Sequence, residues 1–192
     1  MSIETVASGY LTGQLLIAMP QMGDTRFERT VIYLCAHTAE GAMGLVVNRA
    51  LEDVHLPDLL RQLNIPAGSS SNAIRVHFGG PVETGQGFIL HSADYVQDST
   101  LLVGGSVGLT ATLDILKDIA RGAGPNRSLL ALGYAGWGAG QLESEIQANG
   151  WLTAPADEAL LFDHDLETKW ARALAKIGVD LTLLSTGAAG HA

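Results

Sequence analysis

The segment from Gly104 to Gly108 has the residue types and spacing of a catalytic nucleophile. It reads Gly-Gly-Ser-Val-Gly and fits the G-x-S-x-G elbow, in which the serine stands on a sharp turn between a strand and a helix. An apolar segment precedes Ser106 and an amphipathic segment follows it. Acids and a histidine follow in the order of a Ser-Asp-His triad, with these candidates: Asp157, Asp163 or Asp165, then His164 or His191.

Two features favour a structural role for the same serine. The apolar segment before it is short, and the sequence has no HGGG-like segment that could supply an oxyanion hole. A Gly-Ser turn that caps a helix beginning near Leu109 explains the same residues. A small hydrolase that uses Ser106 as its nucleophile is therefore the alternative function, and no catalytic residue is assigned.

Cysteine and histidine offer few further sites. The sequence has no HExxH motif and no His-x-x-x-His pair, and a single cysteine cannot form a thiolate zinc site, so no metal site is predicted. His37, His77 and His91 stand at or near predicted strand ends, where a hydrogen-bonded structural histidine is common. Cys35 lies inside a predicted strand and is most simply a small buried hydrophobe. His37 would share its face and could lower the thiol pKa, which would make Cys35 a redox sensor.

The glycines at 136, 138 and 140 do not form a dinucleotide-binding loop. They join a predicted strand to a predicted helix, but the G-x-G-x-x-G fingerprint needs glycine where Gln141 or Glu143 stands. Glu143 would also repel a phosphate at that position. The sequence has no G-x-x-x-x-G-K-[ST] motif either, so no cofactor is predicted.

The same glycine-rich stretch is the best candidate for a contact surface. Two tryptophans and a tyrosine lie within eighteen residues there, in a chain that is only 6% aromatic. In one interpretation these rings fill the core. In the other, Trp137 is exposed and anchors a protein or small-molecule partner, with polar neighbours around it. Residues in turns and at strand ends complete that predicted surface: Asn48, Gly79, Gly80, Pro81, His91, Tyr134, Trp137, Gln141 and Glu143.

Periodicity places these residues on a mixed set of strands and helices. The central stretch is predicted as a strand over 129–132, a glycine-rich turn, a short helix ending before Asn149, and a strand at Trp151. Other strands are predicted over 14–19, 30–37, 44–48, 74–78, 87–91, 101–103 and 179–184. Other helices are predicted over 57–63, 110–120 and 166–177, the second with Leu109, Leu113, Leu116 and Ala120 along its apolar face. Strands and helices do not alternate regularly, which argues against a doubly wound sheet.

Composition limits the class of protein and its partners. The chain has 192 residues, 47% of them hydrophobic, which predicts one globular domain over 1–192 with a short tail at 185–192. The net charge of −9 opposes direct binding to nucleic acid. The first apolar segment is far too short to span a membrane and no basic leader precedes it. With one cysteine, these features predict a cytoplasmic protein without membrane contact.

Several long motifs resemble the YqgE/AlgH family of bacterial proteins. They include Leu-Gly-Tyr-Ala-Gly-Trp at 132–137, Gly-Gln-Leu-Glu-x-Glu-Ile at 140–146, Gly-Gly-Pro-Val at 79–82 and Gly-Phe-Ile-Leu-His at 87–91. The resemblance implies a mixed α+β fold whose branched sheet closes into a barrel-like shape with flanking helices. The family is commonly labelled as transcriptional regulators without an established mechanism. The leading hypothesis is a non-catalytic binding or regulatory protein that acts indirectly, through an unidentified protein or small-molecule partner.

Overall fold

Ten strands and five helices form the part of the chain that the computed structural model describes, residues 10–68 and 74–179. The strands are β1 (Gln14–Ala18), β2 (Val31–Thr38), β3 (Gly41–Val46), β4 (Ala50–His55), β5 (Arg75–Phe78), β6 (Val82–Ser92), β7 (Leu101–Val103), β8 (Val107–Thr110), β9 (Ser128–Gly138) and β10 (Trp151–Pro155). The helices are α1 (Leu56–Gln62), α2 (Leu113–Ala120), α3 (Gln141–Gln147), α4 (Glu158–Phe162) and α5 (Lys169–Lys176). The predicted mixed α+β class is confirmed.

The sheet branches at β9. The first half of β9 pairs in parallel with β5, with Val76 beside Leu130, and antiparallel with β6 on its other side. The second half pairs antiparallel with β3, with Met43 opposite Gly136. The main strand order is β10-β1-β2-β3-β9-β6-β8-β7, and β4 joins through β5. The sheet curls into a half-barrel, which confirms the branched, barrel-like architecture that the resemblance implied.

The glycine-rich turn predicted after residue 132 is wrong, because β9 continues through it to Gly138. Glycine is needed there because two backbones cross at close range. A Cβ added to Gly79 would lie 2.3 Å from the carbonyl oxygen of Gly133, and one added to Gly80 would lie 2.0 Å from the carbonyl carbon of Tyr134. The chain turns only after Gly138, before α3 begins.

Short elements account for the other differences from the prediction. β4, β8 and α4 were not predicted. Because residues 107–110 form β8, α2 begins at Leu113 rather than at residue 110. The last helix begins at Lys169 instead of residue 166. The strand predicted over 179–184 and the tail at 185–192 lie almost wholly outside the described residues.

Both faces of the sheet are covered by apolar clusters. Neighbouring residues of β1 alternate between two of them, since Leu15 and Ile17 lie in one and Leu16 and Ala18 in another. Helices α4 and α5 pack on the first cluster and α3 on the second, while α1 and α2 cover a third around Leu130. No helix in residues 10–68 and 74–179 is long and apolar enough to cross a membrane.

Candidate functional site

Trp137 is buried, so of the two interpretations the one in which it is exposed is wrong. Its side chain lies in the cluster beneath α3 and is 7% exposed. Its Nε1 donates to Oε1 of Glu145 at 3.0 Å, and Nε1 of Trp151 donates to the same oxygen at 2.9 Å. The alternation of β9 explains the burial, because Ala135 and Trp137 point inward while Gly136 and Gly138 face outward. The first interpretation, in which the aromatic rings fill the core, agrees with this geometry.

The polar side chains of α3 are engaged within the protein. Oε1 of Gln141 accepts the backbone N–H of Gly138 at 2.9 Å, and its Nε2 donates to Oε2 of Glu145 at 2.9 Å. Oε2 of Glu143 lies 3.2 Å from Nε2 of the buried His37. These contacts close the turn between β9 and α3.

The remaining residues of the predicted surface have structural contacts at separate places. Asn48 ties two segments together, because its Oδ1 accepts the N–H of Val31 at 2.9 Å and its Nδ2 donates to the carbonyl of Arg29 at 2.9 Å. Gly79 and Gly80 are buried at the strand crossing, Pro81 follows them half-buried, and Tyr134 packs edge-on against Phe88.

His91 does not belong to the same surface. It is fully buried, and its Nε2 lies 2.8 Å from Oγ1 of Thr110. It pairs across the sheet with Ser128 at the start of β9, whereas Trp137 stands near the end of that strand. At about 3.3 Å a residue, up to about 30 Å of strand separates the two.

Ser106 lacks the context of a nucleophile elbow. It lies exposed in the tight turn between β7 and β8, so a strand and not a helix follows it. Within the described part of the chain, no hydrogen bond joins its side chain to a histidine or a carboxylate. Two of the proposed acids have other partners, since Asp157 is paired with Lys176 and Asp163 with Arg172. The expected strand-to-helix turn is wrong.

Cys35 lacks the solvent exposure and the lowered thiol pKa of a redox sensor. Its side chain is 2% exposed inside the half-barrel, with Sγ 3.7 Å from the carbonyl oxygen of Tyr33. Burial raises the pKa of Cys35 to about 12. The predicted lowering of the thiol pKa by His37 is therefore wrong, and the thiol is a buried hydrophobe.

Sequence reasoning missed an open apolar groove that lies between α1 and α2. The groove has a volume of about 300 Å³ and a floor formed by β6 and β9, with Ile89, Leu130 and Leu132 among its lining residues. Leu63 and Leu113 line it and remain 41% and 48% exposed. The leucines in and beside the two helices were a signal for this groove, because there are more of them than the core buries.

Comparison with known proteins places the chain in a family. A sequence model described as AlgH-like matches residues 15–182. A UPF0301 protein from Rhodospirillum rubrum is 58% identical over 184 residues, which cover 96% of this chain and 95% of that protein. A UPF0301 protein from Afipia carboxidovorans is 56% identical over 191 residues, covering 95% of this chain and 90% of that one.

Two solved structures share the fold. The solution structure of the AlgH protein from Pseudomonas aeruginosa superposes with a TM-score of 0.78 at 45% identity, covering 93% of this chain and 95% of that one. A crystal structure of a protein from Corynebacterium diphtheriae superposes with a TM-score of 0.70 at 21% identity, covering 84% of each chain. The second likeness concerns the fold alone. From the match of the family model and the identity to these relatives, the chain belongs to the AlgH-like family.

Proposed function

We propose that this protein is a non-catalytic cytoplasmic regulatory protein that binds a protein partner through the groove between α1 and α2. The observation that carries the proposal is the open apolar groove itself. Two helices flank it and leave a half-exposed leucine on each side, where a soluble surface normally carries polar groups. Regulation of transcription, in this proposal, acts through the partner and not through contact with DNA.

The size of the groove suits anchoring side chains. Its volume of about 300 Å³ is at the lower limit of pockets that enclose drug-sized molecules. Full burial of a leucine side chain contributes about 1.5–3 kcal/mol, so covering the exposed halves of Leu63 and Leu113 contributes about 1 kcal/mol each. A central apolar anchor with such flanking contacts is the usual arrangement of an interface hot spot.

Charge defines the partner's chemistry. The chain carries a net charge of −9. A depression that shares Leu59, Gln62 and Leu132 with the groove is lined by Asp53 and by Asp58, which is paired with Arg61, and Asp114 lies in the first turn of α2. We infer an occupant with apolar side chains flanked by lysine or arginine, since complementary charge steers association and selects partners. The same acidic balance opposes binding to a phosphate backbone.

The test is an affinity capture from a nuclease-treated extract of the native host. It compares wild type with Leu113→Glu and with the control Leu101→Glu, which changes a leucine that is 54% exposed on β7, outside the groove. We expect a protein retained by wild type and by the control, lost by Leu113→Glu, and held less tightly as salt concentration rises. Equal capture by all three proteins, or equal loss by both variants, would contradict the groove as the binding surface.

A further inference from the structure

A second cavity lies away from the groove, between the start of β9 and the segment that joins α4 to α5. Its outer part is a cleft of about 640 Å³ that Asn126 and Arg127 help to line. A smaller cavity of about 40 Å³ reaches inward to Arg75 and His77. Both are lined by Ile74, Ser128, Phe162, Asp163 and His164, so the small cavity continues the cleft.

His77 presents an unused polar atom at this cavity. The residue is only 6% exposed, and its buried Nδ1 has no partner at hydrogen-bond geometry among the described residues, although backbone groups of Leu130 and Arg75 lie close enough to the ring to oppose the fall of its pKa. Burial and then the charge of Lys169 lower the pKa of His77 to about 4, so the ring is neutral near pH 7. Buried polar nitrogens are nearly always hydrogen-bonded, which makes this atom a candidate contact for a ligand.

Arg75 lines the small cavity, Arg127 lines the outer cleft, and a third cation, Lys169, lies near His77. Lys169 is fully buried, and its Nζ donates to the carbonyl oxygens of Leu161 at 3.1 Å, Asp163 at 3.2 Å and Val47 at 3.4 Å. All three are neutral acceptors, and among the described residues no carboxylate is hydrogen-bonded to this ammonium, although the charges of Asp163 and Asp165 act on it from a distance. Burial, the largest cause, lowers the pKa of Lys169 to about 8, and most of the group stays protonated at pH 7.

Arg75 and Arg127, which line the small cavity and its outer cleft, have N–H groups that form few hydrogen bonds among the described residues. Nη1 of Arg75 reaches only the carbonyl of His164, at a long 3.4 Å, and Arg127 has no carboxylate partner in the described part of the chain. The carboxylate that lines the cavity, Asp163, is already held by two bonds from Arg172, at 3.0 and 3.2 Å. Other acids nearby, Glu52, Asp165 and Glu167, line a neighbouring depression that shares Arg75, His164 and Leu166 with the small cavity.

We propose that this cavity is a binding site for a small anion, a carboxylate or a phosphate group, held by the Arg75 guanidinium and by Nδ1–H of His77. Arg75 and His77 are two residues apart on β5 and so project from the same face of the strand. A guanidinium forms paired, charge-assisted hydrogen bonds with either group. The neutral imidazole donates one more bond when Nδ1 carries its proton. This site is independent of the partner groove, and either can exist without the other.

The test follows the histidine ring resonances of the isotopically labelled full-length chain by NMR. Inorganic phosphate is titrated in one series and succinate in another, each against sodium chloride at matched ionic strength and pH. Three proteins are compared: wild type, Arg75→Gln, and the control Arg26→Gln, which removes an exposed arginine paired with Asp24 outside the cavity.

We expect a saturable shift of the His77 ring with one or both anions. Its apparent dissociation constant should rise about tenfold or more in Arg75→Gln and stay unchanged in Arg26→Gln. Saturation by phosphate alone or by succinate alone supports the site and identifies which anion it takes. The absence of a saturable His77 shift with both anions would overturn the proposal, and so would undiminished affinity in Arg75→Gln.

Discussion

Replacing Glu145 with alanine should destabilise the fold strongly, although the residue stands on a short surface helix. One carboxylate oxygen accepts both indole N–H groups, from Trp137 at 3.0 Å and from Trp151 at 2.9 Å. The other accepts Nε2 of Gln141 at 2.9 Å. Alanine therefore leaves two tryptophan donors without an acceptor, in rings that are 7% and 2% exposed.

The size of the effect follows from those two bonds. A hydrogen bond to a charged group contributes about 1.5–3 kcal/mol, and water can reach these partly buried atoms, so the lower end applies to each. Glu145→Ala should then lower the free energy of unfolding by about 2–4 kcal/mol. For a chain of this length the melting temperature should fall by about 5–10 °C. Glu145→Gln keeps an oxygen for the indoles and should have about half the effect.

Urea denaturation followed by tryptophan fluorescence measures this change. Gln147→Ala, an exposed position on the same helix, is the control for helix propensity. A loss below about 0.5 kcal/mol in Glu145→Ala, equal to that of the control, would refute the reasoning. It would mean that water satisfies the indoles equally well in the variant.

Three further predictions test other parts of the structure. Gly80→Ala should destabilise by about 3 kcal/mol or more, because its Cβ would meet the backbone of Tyr134, whereas Gly85→Ala, with open space around it, should be nearly neutral in thermal unfolding. Cys35 should react with iodoacetamide at pH 8 only after unfolding, and rapid labelling of the native protein would contradict its burial. Burial lowers the pKa of Lys169 from its ordinary 10.5 to about 8 in the folded protein. Between pH 8 and pH 10.5 the unfolded chain therefore binds more protons than the folded one, and the contribution of Lys169 to stability rises with pH in that range. The free energy of unfolding of wild type minus that of Lys169→Met should therefore increase from pH 8 to pH 10, and a flat difference would contradict this.

Strand and helix positions were predictable where one local pattern dominated. Residues 30–37 are rich in β-branched and aromatic types, and the strand predicted there is β2, which pairs antiparallel with β3. The glycines after residue 132 were misread as a turn, because a glycine inside a strand also marks a close approach of two backbones. Here Gly133 crosses the segment at Gly79, more than fifty residues away, and local pattern does not contain that contact.

The predictions of candidate sites were wrong or incomplete for the same reason, since they too depend on contacts between distant parts of the chain. The sequence left open whether Trp137 lies in the core or on the surface, because its burial depends on α3 folding back over the sheet. Leu113 was assigned to the core face of its helix, whereas Ile115, Ile119 and Ala120 are the residues of α2 that are buried. His77 was a strand-end histidine in the sequence, and its buried neighbour Lys169 lies far along the chain. Burial and long-range pairing decide all three.

The most direct test of the proposed function is photo-cross-linking from the groove in living cells of the native host. A photoreactive amino acid replaces Leu113 in one sample and Leu101 in the other, and the joined peptide is sequenced by mass spectrometry. The proposal predicts that position 113 captures a segment of another protein with apolar residues flanked by lysine or arginine, and that position 101 does not. Cross-linking only to a second copy of this chain, or to the same proteins from both positions, would contradict it.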